Sequence, residues 1–191
     1  MTESNTVTIN TNGISDEQKT TTMFQSAYSA MLAQLTAPGF IPVLCAHEAA
    51  HLVYFNLIGV TQFDIFPATI EYDPTIKDYR GHLAAIQPLN IPNWTSGNFW
   101  NWLFQLACAH AAGGVVARKL MPSSDSGDSN DRERFKKLCD EFNKDPEFKT
   151  KIDFKDVWTK AQTQVSEDLN NPTNMATLNQ EAVKLRPQFG L

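Results

Sequence analysis

Residues 45 to 53 read Cys45-Ala46-His47-Glu48-Ala49-Ala50-His51-Leu52-Val53, which places the pattern HExxH inside an otherwise apolar run. From Gly39 to Val60 the only formally charged residue is Glu48, and no Lys or Arg accompanies it. A carboxylate placed there for packing alone would be costly, because an unpaired ionised group resists burial more than almost any other. The run predicts a helix: Pro42 suits a first turn, residues 43 to 58 contain no breaker, and Gly59 suits the end. Positions four apart share a helix face, so His47 and His51 can hold one metal ion while Glu48 stands beside an open coordination position. HExxH also arises by accident, but the buried helical setting makes accident the weaker reading.

Working outward, Ser15-Asp16-Glu17-Gln18 has the form of a capping box, and Met23, Ala27, Ala30, Met31 and Leu35 follow at helical spacing. That predicts a first helix reaching Thr36, ended by Ala37-Pro38-Gly39. Residues 1 to 14 are read as a mobile polar tail, with neither the basic start nor the apolar stretch of a secretory signal, and residues 15 to 191 as one domain. Beyond the HExxH helix, Phe63 and Ile65 alternate with polar neighbours in Thr61 to Ala68, and Arg80 to Gln87 makes a second extended candidate. Asp73-Pro74 marks a turn or loop between them, so a small hairpin or sheet is expected. Residues 81 to 117 contain no Asp, Glu, Lys or Arg, and Asn98 to Ala117 approaches membrane-spanning length. Asn98, Asn101, Gln105 and His110 interrupt it, however, and its small residues cluster at Ala107, Ala109 and Ala111 to Gly114. It is therefore read as a helix buried against another helix, without a membrane span. An amphipathic helix over Asn130 to Glu141 and two more, about Phe154 to Leu169 and Asn174 to Leu185, complete a mainly α fold with a small β-sheet (α+β).

With 191 residues, 42% of them hydrophobic, the chain has enough apolar surface for a single ordinary domain. A net charge of -5 and a pI near 5.3 give no basic footprint, so no nucleic-acid partner is expected. Cys45, Cys108 and Cys139 are odd in number and far apart, which suits a reducing, cytoplasmic setting better than a disulfide framework.

Two histidines hold zinc poorly, so a third protein ligand is expected. A metzincin would need Gly where Tyr54 stands and His where Leu57 stands, which excludes that class. A thermolysin-like Glu about 20 residues on finds only Glu71, in an expected loop between strands. The best remaining stretch is Gly127-Asp128-Ser129-Asn130-Asp131-Arg132-Glu133-Arg134, after a Ser/Asp/Gly loop at the start of a helix. Here the order of motifs, HEAAH, a strand pair with Pro67 and Gly81, an Ala/Gly-rich helix and SGDSND, resembles the peptidase domain of FtsH-type ATP-dependent zinc proteases. The resemblance covers roughly residues 40 to 142. It implies an FtsH-peptidase-like zincin with Zn2+ held by His47, His51 and Asp131, and Glu48 as the general base of peptide-bond hydrolysis. Ala50 stands for the family Gly of HEAGH, Val115 for a family Arg, and Arg118-Lys119 for an acidic pair, departures that touch no ligand. The chain carries no GxxxxGK[ST] phosphate loop. Expected substrates are therefore short peptides or unfolded protein, handled without the chain's own ATPase motor, with a homo-oligomer or a separate ATPase as partner. Two alternatives stand beside this: a catalytically silent relative that binds peptides or partner subunits, and a non-peptidase zinc hydrolase on the same scaffold. His110 is read as a core or ligand-supporting histidine and His82 as a strand residue. Asp125 and Asp128 are read as solvated loop or helix-cap acids, and the aromatics of residues 94 to 104 as core or an oligomer face, with lining of a substrate groove as the alternative for some.

Overall fold

The HExxH helix is the axis of the molecule. The computed structural model describes residues 16–75, 77–95, 97–122, 128–146, 148 and 150–191, so the expected tail over residues 1 to 14 lies outside the described residues. Its elements are α1 (Asp16–Thr36), α2 (Phe40–Leu57), β1 (Phe63–Phe66), β2 (Thr69–Asp73), β3 (Asp78–His82), β4 (Ala85–Pro88), α3 (Phe99–Leu120), α4 (Ser129–Lys144), α5 (Phe154–Asp168) and α6 (Pro172–Gln188). The fold is mainly helical with a small β component. Among the described residues, no single helix is long and apolar enough to cross a membrane.

Two glycines set the ends of α2. Gly39, in the left-handed region at φ 77°, lets the chain leave α1 and re-enter a helix at 85° to it. Gly59, at φ 87°, closes the other end: its N–H donates to the Asn56 carbonyl and the Val60 N–H to that of Phe55. This is a Schellman ending, with Val60 wholly buried against the core. Between them Leu44 to His51 are buried without a break, because α3 packs on one side of α2 and α6 on another. The small residues of α3 permit that approach, Ala107, Ala109, Ala111 and Ala112 all being fully buried. α5 backs α3 through Trp158, Ala161 and Val165, and the Tyr54 hydroxyl donates to Asp168 at 2.9 Å, tying α2 to the end of α5. The last two helices are capped by Asp153 and Asn171, with Pro172 in the first turn of α6.

The strands form one long interrupted hairpin. β1 pairs antiparallel with β4 and β2 with β3, and both ladders share a register: Phe66 faces Ala85 and Thr69 faces His82. Pro67 and Ala68 therefore stand opposite Ala84 and Leu83, and pairing lapses where Pro67 has no N–H to give. The second extended stretch, expected as one run over Arg80 to Gln87, is thus split into β3 and β4. Glu71, expected in a loop, sits in β2 opposite Arg80.

Candidate metal centre

Among the described residues, the buried polar side chains are three: His47, Glu48 and His51. All come from the HExxH segment, and each faces a different support. His51 Nδ1 lies 2.7 Å from the Ala109 carbonyl on α3. A carbonyl only accepts, so Nδ1 carries a proton and Nε2 is the nitrogen turned toward the cluster. Glu48 Oε2 accepts the Ile86 N–H of β4 at 3.0 Å, while Oε1 is 3.9 Å from His47 Nε2.

α4 supplies the third donor. Asp131, in its first turn, places Oδ2 3.3 Å from His51 Nε2 and 3.9 Å from His47 Nε2, and the two imidazole nitrogens are 3.1 Å apart. Donor atoms of His47, His51 and Asp131 all lie within 4.8 Å of one another. A tetrahedral ion with bonds of roughly 2.0–2.1 Å separates its ligand atoms by about 3.3 Å, so the spacing fits one such ion. The chemistry of the donor set, two imidazoles and a carboxylate, suits a divalent metal.

Electrostatics point the same way. Burial and the neighbouring His51 push His47 down to about 3, so it is neutral and able to ligate. Burial also opposes charge on His51, but the Asp131 carboxylate outweighs it and raises His51 to about 9. Burial alone would raise Asp131; the facing imidazoles of His110, His51 and His47 overcome it and hold the carboxyl well below the usual range. The cluster thus favours a positive charge between its donors. Burial raises Glu48 to about 7, against the pull of His51 and the Ile86 N–H.

His110 stands behind Asp131. Among the described residues its buried Nδ1 has no hydrogen-bond partner; it lies 3.9 Å from Asp131 Oδ1, and its ring meets Phe55 and Phe135 edgewise or tilted at 5.4 and 6.0 Å. Burial lowers its pKa. Asp128, expected as a solvated or capping acid, sits at the N-cap of α4 but makes no side-chain cap; its Oδ2 accepts from Arg118 at 2.5 Å. The start of α4 is thereby tied to the end of α3. The His82 side chain and all of Asp125 lie outside the described residues.

Three contributors lay beyond the reading of the sequence, the Ala109 carbonyl, the Ile86 N–H and the Arg118 side chain, while Gly113 is legible there only as one small residue of a packed helix. A Cβ at Gly113 would overlap Nε2 of both histidines, and one at Gly114 would overlap Asp128. Glycine inside a helix costs about 1 kcal/mol relative to alanine, so the pair Gly113-Gly114 was a legible signal of close approach. The aromatic residues from 94 to 104 instead gather at the start of α3, where Phe99 packs with Trp94, Phe142 and Phe148.

The cluster opens on a groove of about 700 Å³ bounded by α2, β4, α3 and α4. No family model and no curated protein matches the chain. The resemblance to FtsH-type peptidases therefore rests on the sequence motifs alone.

Proposed function

We propose that the protein is a zinc-dependent metallopeptidase of the zincin kind, with His47, His51 and Asp131 as ligands and Glu48 as general base. The observation that supports it most is that the polar residues of the α2 interior are the HExxH residues, met by a carboxylate from a helix 80 positions further on. Zinc, when bound, supplies Lewis-acid polarisation of a carbonyl and a more acidic water. The remaining steps belong to side chains of this chain. Glu48 has one oxygen fixed by the Ile86 N–H and the other turned toward the cluster, and burial raises it to about 7. It is suited to take a proton from an attacking water near neutral pH and deliver it to the leaving amine. β4 has β1 as its strand partner, and Ala84, Ala85 and Ile86 line the groove. An extended peptide is accommodated there by strand addition along that border.

Glu48→Gln tests the reading. Size and hydrogen bonding are kept, so bound zinc is expected to stay while hydrolysis of short or unfolded peptides falls roughly 100-fold or more, with no effect of ATP. Equal cleavage by both proteins, or none by either with zinc in place, favours the silent peptide-binding alternative.

A further inference from the structure

The groove has direction. Along α2 it is lined in turn by Phe40, Leu44, His47, His51 and Phe55, and α3 runs beside it in the opposite sense. Met121 reaches the Phe40 end, where its Cε is 3.6 Å from a Cβ built on Gly39; Gly113 meets the two histidines, and His110 meets Phe55. α4 enters with Asp128 against Gly114, passes Asp131 over the histidines, and brings Phe135 beside His110. Arg134, one turn past Asp131, therefore lines the groove at the Phe55–His110 end, opposite the apolar end made by Phe40, Val43, Leu44 and Met121.

Arg134 is exposed, and among the described residues it makes no hydrogen bond or ion pair. The cations around it on α4 are engaged: Arg132 lies over the Phe154 ring, Lys136 pairs with Asp140, and Lys137 reaches Glu133. The two carboxylates of the groove are committed as well, Asp131 to the imidazoles and Glu48 to the Ile86 N–H. A chain of net charge -5 thus holds an unpaired guanidinium in its cleft, close enough to Glu48 and His110 for its charge to be felt by both. A guanidinium fork is matched best by a carboxylate.

We infer that Arg134 is the specificity residue of the groove and receives a carboxylate of the peptide substrate at the Phe55–His110 end, making acidic peptides the preferred class. This rests on the peptidase reading and adds the substrate chemistry to it. The carboxylate comes from an Asp or Glu side chain or from a free C-terminus.

The test uses zinc-loaded full-length protein carrying Glu48→Gln, so that peptides bind without turnover. Fluorescent peptides identical except for Glu, Gln or Lys at successive positions, each as free acid and as C-terminal amide, are titrated by anisotropy. The Glu-bearing or free-acid form is expected to bind roughly tenfold or more tightly than its neutral counterpart, with the preference shrinking as salt rises. Whichever form carries the preference identifies the source of the carboxylate. Adding Arg134→Gln should abolish the preference, and Arg134→Glu should turn it toward the Lys peptide, with zinc content unchanged in both. Equal binding of acidic and neutral forms, or a preference that survives Arg134→Gln, overturns the inference while cleavage of neutral peptides by the wild type leaves the peptidase reading standing. Absence of both binding and wild-type cleavage overturns the two together.

Discussion

α1 and α2 are adjacent in sequence and similar in length, yet they are opposite kinds of helix. α2 buries Leu44 through His51 without a break and carries His47 and His51, the proposed metal ligands, in that run. In α1, no described side chain is fully buried, and Phe24, Tyr28 and Leu32 stay 42 to 47% exposed along one stripe. Its anchorage is to the distal part of the hairpin, where the Phe24 ring meets Tyr79 edge-on at 5.3 Å. A close-packed interior cannot shift without strain, so the polar side chains of α2 are braced by their contacts with α3, α4 and β4. α1 contributes Gln34 to the groove border, none of the donors, and little constraint on them.

The sharpest way to break this contrast is to disturb the side of α3 that touches the donors. Gly113→Ala puts a methyl into both imidazoles. The expected cost is on the order of 1–3 kcal/mol in stability from overpacking. Zinc affinity should fall by at least the roughly 10–100-fold typical of losing an outer supporting group, as read by competition with a chromophoric chelator. Unchanged affinity would show that the rings do not need that close approach.

A smaller effect separates the zinc-free protein from the loaded one. His51, raised to about 9, and Glu48, raised to about 7, both bind protons more tightly folded than unfolded. A raised pKa gives stability that is full below the unfolded value and lost as pH climbs through the folded value. The zinc-free protein should therefore lose stability from pH 7 to pH 9. In the loaded protein His51 ligates without its Nε2 proton, so that loss should vanish and the Tm gap between the two should widen with pH. A constant gap across that range would contradict the charge assignment of the cluster.

The smallest effect is expected in α1. Phe24→Ala should cost less than about 1 kcal/mol and leave zinc content untouched, as measured by thermal melting and metal analysis. A large drop in either would place α1 within the same packed unit as α2.

How far the sequence carried follows from the same contrast. The helices were legible because apolar spacing and breakers are local: Pro42 and Gly59 each punctuate within a few residues. His47 and His51 were legible from helical spacing alone. Asp131 needed the resemblance, because no local pattern links residues 80 positions apart. β2 was missed because Thr69 to Asp73 pairs with its partner near the tip of the hairpin, where burial is partial and no clean alternation develops. The Ile86 N–H and Ala109 carbonyl are backbone groups, which no residue type announces, and in sequence Arg134 is one of several charges in its stretch.

The central claim is that the buried polar cluster of α2 and α4 is a metal site, and zinc content measured by mass spectrometry on purified wild type and Asp131→Ala tests it most directly. About one zinc per chain is expected in the wild type, with a sharp loss in Asp131→Ala. A wild type that takes up no zinc, or an Asp131→Ala protein that keeps it in full, would rule out this cluster as the metal site.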